Sequence, residues 1–322
     1  FPESDKAKDV HALFLKLMKK NKIALLTSCC IKKISLKQNI IEKIILDGIE
    51  IKAGNYLIST GGRSYPQTGS TGDGYTWSRQ MGHSIIKPEP ALTPVLVKEQ
   101  WVKELEGLSL KNVAISVYQN NRKKDERFGE ALFTGFGMSG PVILDMSKYI
   151  GELLANGPVD LCIDFKPALD FDMLDKRILR DLEDQKNKSL RNILPGLLPQ
   201  KLIPVILELT GLDPEKKGHS MTKDERKKLR AFLKQFPLTI TGLLGFDKAI
   251  ITTGGIDLKE VDPRTMRSRI VDNLYFAGEV LDLDGPTGGY NLQVCWSTGY
   301  LAGESAAKFS AREQQSKSPG EK

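Results

Sequence analysis

Two near-copies of one hexapeptide constrain the fold more than any other feature of this chain. They are "LISTGG" at residues 57–62 and "IITTGG" at 250–255. Each reads as a short apolar strand ending in small residues. A run of β-branched and aliphatic side chains favours extended backbone, and paired glycines let the chain turn sharply where it leaves a sheet. A third run, "NLYFAGE", residues 273–279, ends the same way at Gly278. Apolar strands with glycine-rich carboxyl ends are the signature of an open parallel α/β sheet, whose ligands bind outside those ends. The expectation is that both hexapeptides finish at one edge of the same sheet. The stretch between them then reads as an insertion into one domain.

The elements between these anchors follow from periodicity. Apolar residues at Val10, Leu13, Phe14, Leu17 and Met18 recur at helical spacing, which predicts a helix over residues 5–20 capped by Ser4. "KIALLTS" after it reads as a short, fully buried strand. "CCIKKISL", "IEKIIL" and "IEIKA" predict an antiparallel meander with a hairpin at Asp47-Gly48. A helix is expected near Tyr75. Pro88, Pro90 and Pro94 mark a boundary. Residues 91–168 carry mostly strand patterns and residues 169–245 mostly helical ones. The expected domains are 1–90 with 246–309, interrupted by 91–245, and a disordered tail at 310–322.

Composition narrows the function class. The chain has 322 residues, is 40% hydrophobic and 27% charged, and contains no run of about 18 apolar residues, so no membrane span is expected. No leader-like segment opens the sequence. Cys29, Cys30, Cys162 and Cys295 form no metal-ligand spacing, and each lies in an apolar run. They read as buried, reduced thiols of a cytoplasmic protein. His11, His83 and His219 are scattered, so no metal site is expected. The net charge of +7 owes much to "KKGHSMTKDERKKLRAFLK", residues 216–234, which reads as a solvated helix with an apolar face of Leu229, Phe232 and Leu233. No specific nucleic acid is expected as a partner.

"GEVLDLDGPTGGYNLQ", residues 278–293, carries the most chemistry. Gly278 lets a ligand approach the backbone. Glu279 offers a carboxylate that accepts hydrogen bonds from ribose or ribityl hydroxyls. The Gly288-Gly289 turn opens a helix whose free N–H groups and dipole favour negative charge. A polyol acceptor beside an anion-stabilising helix start suits a flavin better than a metal or a bare phosphate. Two other glycine loops are weaker signals. "GFGMSG" at 135–140 matches GxGxxG literally, with Asp164 in reach as a ribose partner, but it reads better as a tight loop before a helix that starts at Pro141. "GSTGDG" at 69–74 reads either as a flexible turn or as a cleft wall.

Several of these stretches together resemble the YhiN/BaiN-like bacterial flavoproteins. They are "GGRSYPQTGSTGDGYTWSRQMGH", "ALFTGFGMSGPVIL", "STGYLAG" and the run from Thr252 to Gln293. The resemblance extends from residue 1 to about 307. It implies an α/β fold in which a Rossmann-like FAD-binding domain is interrupted by an inserted domain with a β-barrel-like part and a helical part. It implies FAD as cofactor, NAD(P)H as electron donor and a small organic substrate reduced at a C=C or C–N bond. By resemblance Gly278 and Glu279 hold the ribityl chain. Gly289, Tyr290, Asn291 and Leu292, following Gly288, meet the pyrimidine edge of the ring. Thr60, Gly61 and Gly62 line the dinucleotide cleft, and Gly72 and Asp73 wall it. Arg63, Tyr65 and Tyr290 are placed near the flavin, Arg63 as a partner for a substrate carboxylate. No catalytic acid or base is legible. A flavin oxidase using oxygen, or a basic nucleic-acid-binding protein on a flavoprotein scaffold, are the competing readings. The family opens with a strand, a GxGxxG turn and a helix that seat the pyrophosphate. No such unit precedes Phe1, so the FAD domain is expected to be incomplete, with an N-terminal fragment as partner supplying that βαβ unit.

Overall fold

The structure is a computed structural model that describes residues 2–316, with side chains as far as residue 310. The chain opens with α1 (Ala7–Lys20). Its cap position is Lys6 and no side chain caps it, so Ser4 does not play that part. The apolar stripe forms as expected but faces outward: Leu13, Phe14 and Leu17 are all exposed. Residues 23–26 form no strand, and Ile23, Leu25 and Leu26 are each more than half exposed. An apolar run becomes a strand only when a neighbour accepts its ladder hydrogen bonds, and none among the described residues pairs with it. The meander follows as β1 (Lys33–Lys37), β2 (Ile40–Ile45) and β3 (Glu50–Ile51), all antiparallel, with Gly48 at φ +79° in the hairpin.

Next come β4 (Tyr56–Ile58), α2 (Asp73–Gln80) and β5 (Ile85–Ala91). Pro88 and Pro90 lie inside β5, which ends at Ala91 just before the next strand begins at Val95. A proline removes one ladder donor, and an edge strand can spare it. β5 pairs with one neighbour only. The chain then builds a closed barrel from β6 (Val95–Val97), β7 (Ser109–Gln119), β8 (Arg122–Thr134), β9 (Gly137–Ser139), β10 (Val159–Asp164) and β11 (Phe236–Leu243). Helix α3 (Pro141–Leu154) packs on it between β9 and β10. Between β10 and β11 lie α4 (Phe171–Asp184), α5 (Leu190–Ile193), α6 (Ile203–Thr210) and α7 (Lys223–Lys234). Residues 236–243, expected with the helical part, instead close the barrel, pairing with both β10 and β6. One continuous core joins the barrel interior to these helices, with Phe133, Phe236, Ile115, Met146 and Leu161 fully buried.

β12 (Ile251–Ile256) pairs antiparallel with β5, Thr252 opposite Pro90. β13 (Leu274–Phe276) pairs parallel with β4. The two hexapeptides therefore lie in different sheets, contrary to the expectation that one sheet holds both. The final helix, α8 (Tyr290–Ser316), runs past Ser310, so residues 310–316 are helical; 317–322 lie outside the described residues. A second core joins β4, β13 and α2 through Tyr56, Ile58, Tyr75, Tyr275 and Phe276.

Asn273 ties the meander to this second core. Its Nδ2 donates to Ile41 O at 2.9 Å and its Oδ1 accepts from Ile41 N at 2.8 Å, in a buried setting. Asn273→Ala leaves both backbone groups unpaired and is expected to cost about 2 kcal/mol. Urea unfolding checks the magnitude. Faster hydrogen exchange of the Ile41 amide than of its neighbours identifies the cause.

The expected basic helix forms as α7, with Leu229 and Leu233 buried and a capping box between Thr222 and Glu225. Its cations are largely engaged: Arg226 and Arg230 reach Asp175, and Lys234 reaches Asp164. That last ion pair occupies the Asp164 carboxylate, which is therefore not free to hold a ribose. "GFGMSG" supplies β9 and the lead into α3. Its glycines admit barrel backbone: a Cβ at Gly137 would collide with Val95 O, and one at Gly140, φ +94°, with Ala131 Cα at 2.9 Å. All four cysteines are free, but Cys29 and Cys30 are exposed and Cys162 and Cys295 half-buried, not buried as expected. No helix among the described residues is long and apolar enough to cross a membrane.

Candidate functional site

The glycine-rich ends of β4 and β13 meet the start of β12 at one point, held there by Thr252. Its Oγ1 accepts from the amides of Arg63 at 2.7 Å and Ser64 at 3.1 Å. Its own N–H donates to Glu279 Oε1 at 2.9 Å. The loop after β4, the start of β12 and the turn after β13 thus share one threonine. Gly62 fits there because it has no side chain: a Cβ would run into both Glu279 Oε1 and Thr252 Oγ1. Behind it, α2 closes in. Gly74 packs against Thr60, Ile58 and Val280, Gly72 against Arg63 and Tyr75, and the Tyr75 hydroxyl reaches Glu279 O at 3.4 Å.

In front of this junction opens a cleft of about 460 Å³. Gly61, Gly278 and Glu279 wall it on one side, and Cys295, Trp296 and Tyr300 of α8 on the other. Phe14 of α1 stacks on Trp296 at 5.4 Å between centroids and covers one end. Gly278 is held by its N–H donating to Thr298 Oγ1 at 2.9 Å, and its φ of +76° turns Glu279 toward Thr252. A Cβ at Gly278 would meet Cys295 Sγ.

The electrostatics are those of a shielded carboxylate. Burial pushes the Glu279 carboxyl above its usual range, and the hydrogen bonds from Thr252 pull it partly back. Burial and then the nearby Glu279 charge raise the Tyr75 phenol. The same two causes raise the Cys295 thiol, so it stays protonated and is a poor nucleophile.

The remaining expected residues divide. Gly62, Thr60 and Gly72 support the cleft from behind. Asp73 lies exposed in the first turn of α2 and caps nothing. Gly288–Leu292 are not among the residues that wall this cleft. Tyr290 and Leu292 are exposed, and Asn291 folds back on its own loop, its Oδ1 accepting from Gly285 N and its Nδ2 donating to Gly285 O. That loop is anchored to the barrel side: Thr287 N and Oγ1 bond Asp145 of α3, and Asp284 is shared by Lys148 and Thr253. It is the second turn of α8, at Cys295 and Trp296, that faces Glu279 across the cleft. Arg63 is exposed, its guanidinium 4.6 Å from the centroid of the Phe246 ring, in a second cleft of about 650 Å³ between α3 and the β5–β12 pair. Tyr65 is exposed in a left-handed turn, φ +52°. Sequence reasoning misses Thr252 and Thr298, although both lie within the motifs that carry the resemblance.

A parallel pair, β4 and β13, whose glycine-rich ends meet a carboxylate beside a helix, fits a mixed α/β protein. The family model for the HI0933-like protein Rossmann domain matches residues 1–305, and the chain belongs to that family. It is 32% identical to the 3-dehydro-bile acid delta(4,6)-reductase of Clostridium scindens over 311 residues, 96% of this chain and 75% of that protein. It is 31% identical to the ribosomal RNA dihydrouridine synthase of Haemophilus influenzae over 79% of this chain and 60% of that one. For the Escherichia coli protein of the same description the values are 30%, 82% and 64%. The chain spans only part of each relative's length.

Proposed function

We propose that this chain is a flavin-dependent reductase of a C=C bond conjugated to a carbonyl, with FAD as cofactor and NAD(P)H as electron donor. The relatives support the bond type. A delta(4,6)-reductase of a 3-oxo steroid acid and a dihydrouridine synthase both saturate such an alkene. The single observation carrying the cofactor is the half-buried Glu279 carboxylate at a glycine-floored cleft. Thr252 donates to one of its oxygens, Glu279 lines the cleft, and a carboxylate has acceptor capacity left for polyol hydroxyls. Those glycines fit a cofactor at close range, because a Cβ at Gly278 would stand between the backbone and Cys295, at 3.4 Å from its Sγ.

Bound there, a flavin supplies the hydride chemistry, and the chain's part is to hold and orient it. Gly278 and Glu279 hold its polyol. Trp296 and Phe14 shield it from water. Arg63, stacked on Phe246 in the neighbouring cleft, orients an anionic part of the substrate.

The same reading assigns a partner. Among the described residues, β4 has a neighbour on one side only. Leu57, the unpaired run of Ile23, Leu25 and Leu26, and the stripe of α1 are all exposed around it. A βαβ unit, supplied by a further stretch of polypeptide, covers these surfaces and completes the cofactor cleft. The test is colour and bleaching. Purified with added FAD, alone and co-expressed with such a unit, the protein is expected to show flavin absorbance that NADPH abolishes under nitrogen and a conjugated enone restores. Absence of flavin binding in both preparations sinks the proposal. Reoxidation by oxygen with none by enone would make it an oxidase.

A further inference from the structure

Of the three histidines, His83 alone is buried, and the redox reading gives it no part. It follows α2, with its ring edge-on to Phe276 of β13 at 5.0 Å between centroids. Its Nε2 lies 2.8 Å from Ser268 Oγ and its Nδ1 3.3 Å from Ser78 O. The neighbours decide where the ring proton sits. Ser268 Oγ accepts from the amides of Ile270 at 3.0 Å and Val271 at 2.8 Å. A hydroxyl has two acceptor lone pairs and one hydrogen. Both lone pairs are therefore taken, and the hydrogen donates to His83 Nε2. Nδ1 faces a carbonyl oxygen, so it carries the proton. The ring is neutral, with Nδ1–H donating to Ser78 O.

A second proton has no place in this arrangement. On Nε2 it would point at Ser268 Oγ, which has no lone pair left. Either the Ile270 or the Val271 amide must then give way, and the Ser268 hydroxyl loses its acceptor. Those amides hold the turn that precedes β13. Ser268 N donates to Leu274 O at 2.8 Å and Phe276 N to Met266 O at 3.0 Å, so the turn folds back along the strand that leads to Gly278 and Glu279. The charged groups around the ring do little to favour a cation. Glu260 acts on it, but its Oε2 accepts from the Ser84 amide at 2.8 Å. Arg79 of α2 is exposed, and Lys87 and Glu89 of β5 pair with each other. Arg267 is held by Asp272, and Arg269 turns to Val261 O. Burial pushes the imidazole below its usual 6.5, against smaller pulls from Ser78 and Glu260.

We propose that His83 is a proton-operated lock on the turn before β13: neutral, it takes the Ser268 hydroxyl and keeps the turn closed; protonated, it displaces an amide of that turn and loosens the segment that carries Glu279. Between the folded value and 6.5 the opened turn binds a proton that the closed turn rejects. The closed turn is therefore fully stable above 6.5 and loosens as pH falls through that window, with the opened fraction rising about tenfold per pH unit. Burial of the Glu279 carboxyl acts in the opposite sense, so variants at the two positions separate the effects.

The test uses the full chain without flavin, so its failure is distinct from failure of the redox proposal. Nuclear magnetic resonance of the ring nitrogens at about pH 7.5 is expected to find the proton of His83 on Nδ1 and none on Nε2. Hydrogen exchange, corrected for its intrinsic pH dependence, is expected to show the protection of the Ile270 and Val271 amides falling about tenfold per pH unit as pH drops below 6.5. His83→Gln keeps an acceptor for the Ser268 hydroxyl but cannot ionise, so its protection should stay flat over the same range. A proton on Nε2 at about pH 7.5, constant wild-type protection through the window, or an equal slope in His83→Gln overturns the lock. The wild-type proton position and exchange profile decide the matter even where the variant does not fold.

Discussion

Gly255→Ala is expected to destabilise the protein by about 3–5 kcal/mol, a large cost for one added methyl group. Gly255 has φ +138°, a region open in practice only to glycine. An added Cβ would lie 2.6 Å from Val280 O and 2.8 Å from Leu281 C. Both are backbone atoms, so no rotamer change can relieve the clash. Strain of this kind costs about 1–3 kcal/mol and overpacking a similar amount. The segment displaced is the one that follows Glu279, tied to β12 by Asp282 N donating to Ile256 O. Loss of stability and loss of the cleft should therefore occur together. Gly61→Ala is the control. It also sits at positive φ, +72°, but its nearest neighbour would be the flexible Ser70 hydroxyl at 3.4 Å, so it should cost about 1–2 kcal/mol. Urea unfolding of both variants tests the contrast, and equal costs would remove the argument from backbone crowding.

That contrast also shows what is legible in the sequence. The two Thr-Gly-Gly hexapeptides announce strand ends and a shared site, because apolar runs and paired glycines act locally. They cannot announce which strands they pair with. β4 joins β13 in parallel, while β12 joins the proline-bearing β5, and it is Thr252, at the start of β12, that meets the loop after β4. The hairpin at Asp47-Gly48 is legible for the same local reason. "KIALLTS" is not: its composition favours a strand, but a strand also needs a ladder partner. β11 escapes the sequence reading although Phe236, Leu238 and Ile240 alternate into the core at a strand's period, because the helices before it set the expectation. At the site, Gly278 and Glu279 can be read from residue type and spacing. The Gly288–Leu292 stretch looks like a cofactor edge by its glycines, yet Asn291 spends its amide on the loop itself.

Glu279→Ala is expected to weaken flavin binding about 10- to 100-fold, the usual loss for a hydrogen bond to a charged acceptor. The pH dependence gives a sharper test. The folded carboxyl is raised above its ordinary 4.5 by burial. Between 4.5 and the folded value the native state therefore binds more protons than the unfolded one, and stability falls as pH rises through that window. The penalty is absent below the window and complete above it. The ionised carboxylate accepts hydrogen bonds from polyol hydroxyls more strongly than the neutral acid does, so the cofactor favours the ionised form. Its affinity should rise with pH across the same window and then level off. Glu279→Gln keeps the shape and the acceptor oxygen but cannot ionise, so it should bind flavin weakly and with a flat profile. Flavin fluorescence quenching, followed upward from below pH 4.5, measures both curves. A wild-type profile as flat as that of Glu279→Gln would mean that the cofactor does not use this carboxylate. The convergence at Thr252 would then be structural, because its N–H would still close the junction between the start of β12 and the turn after β13.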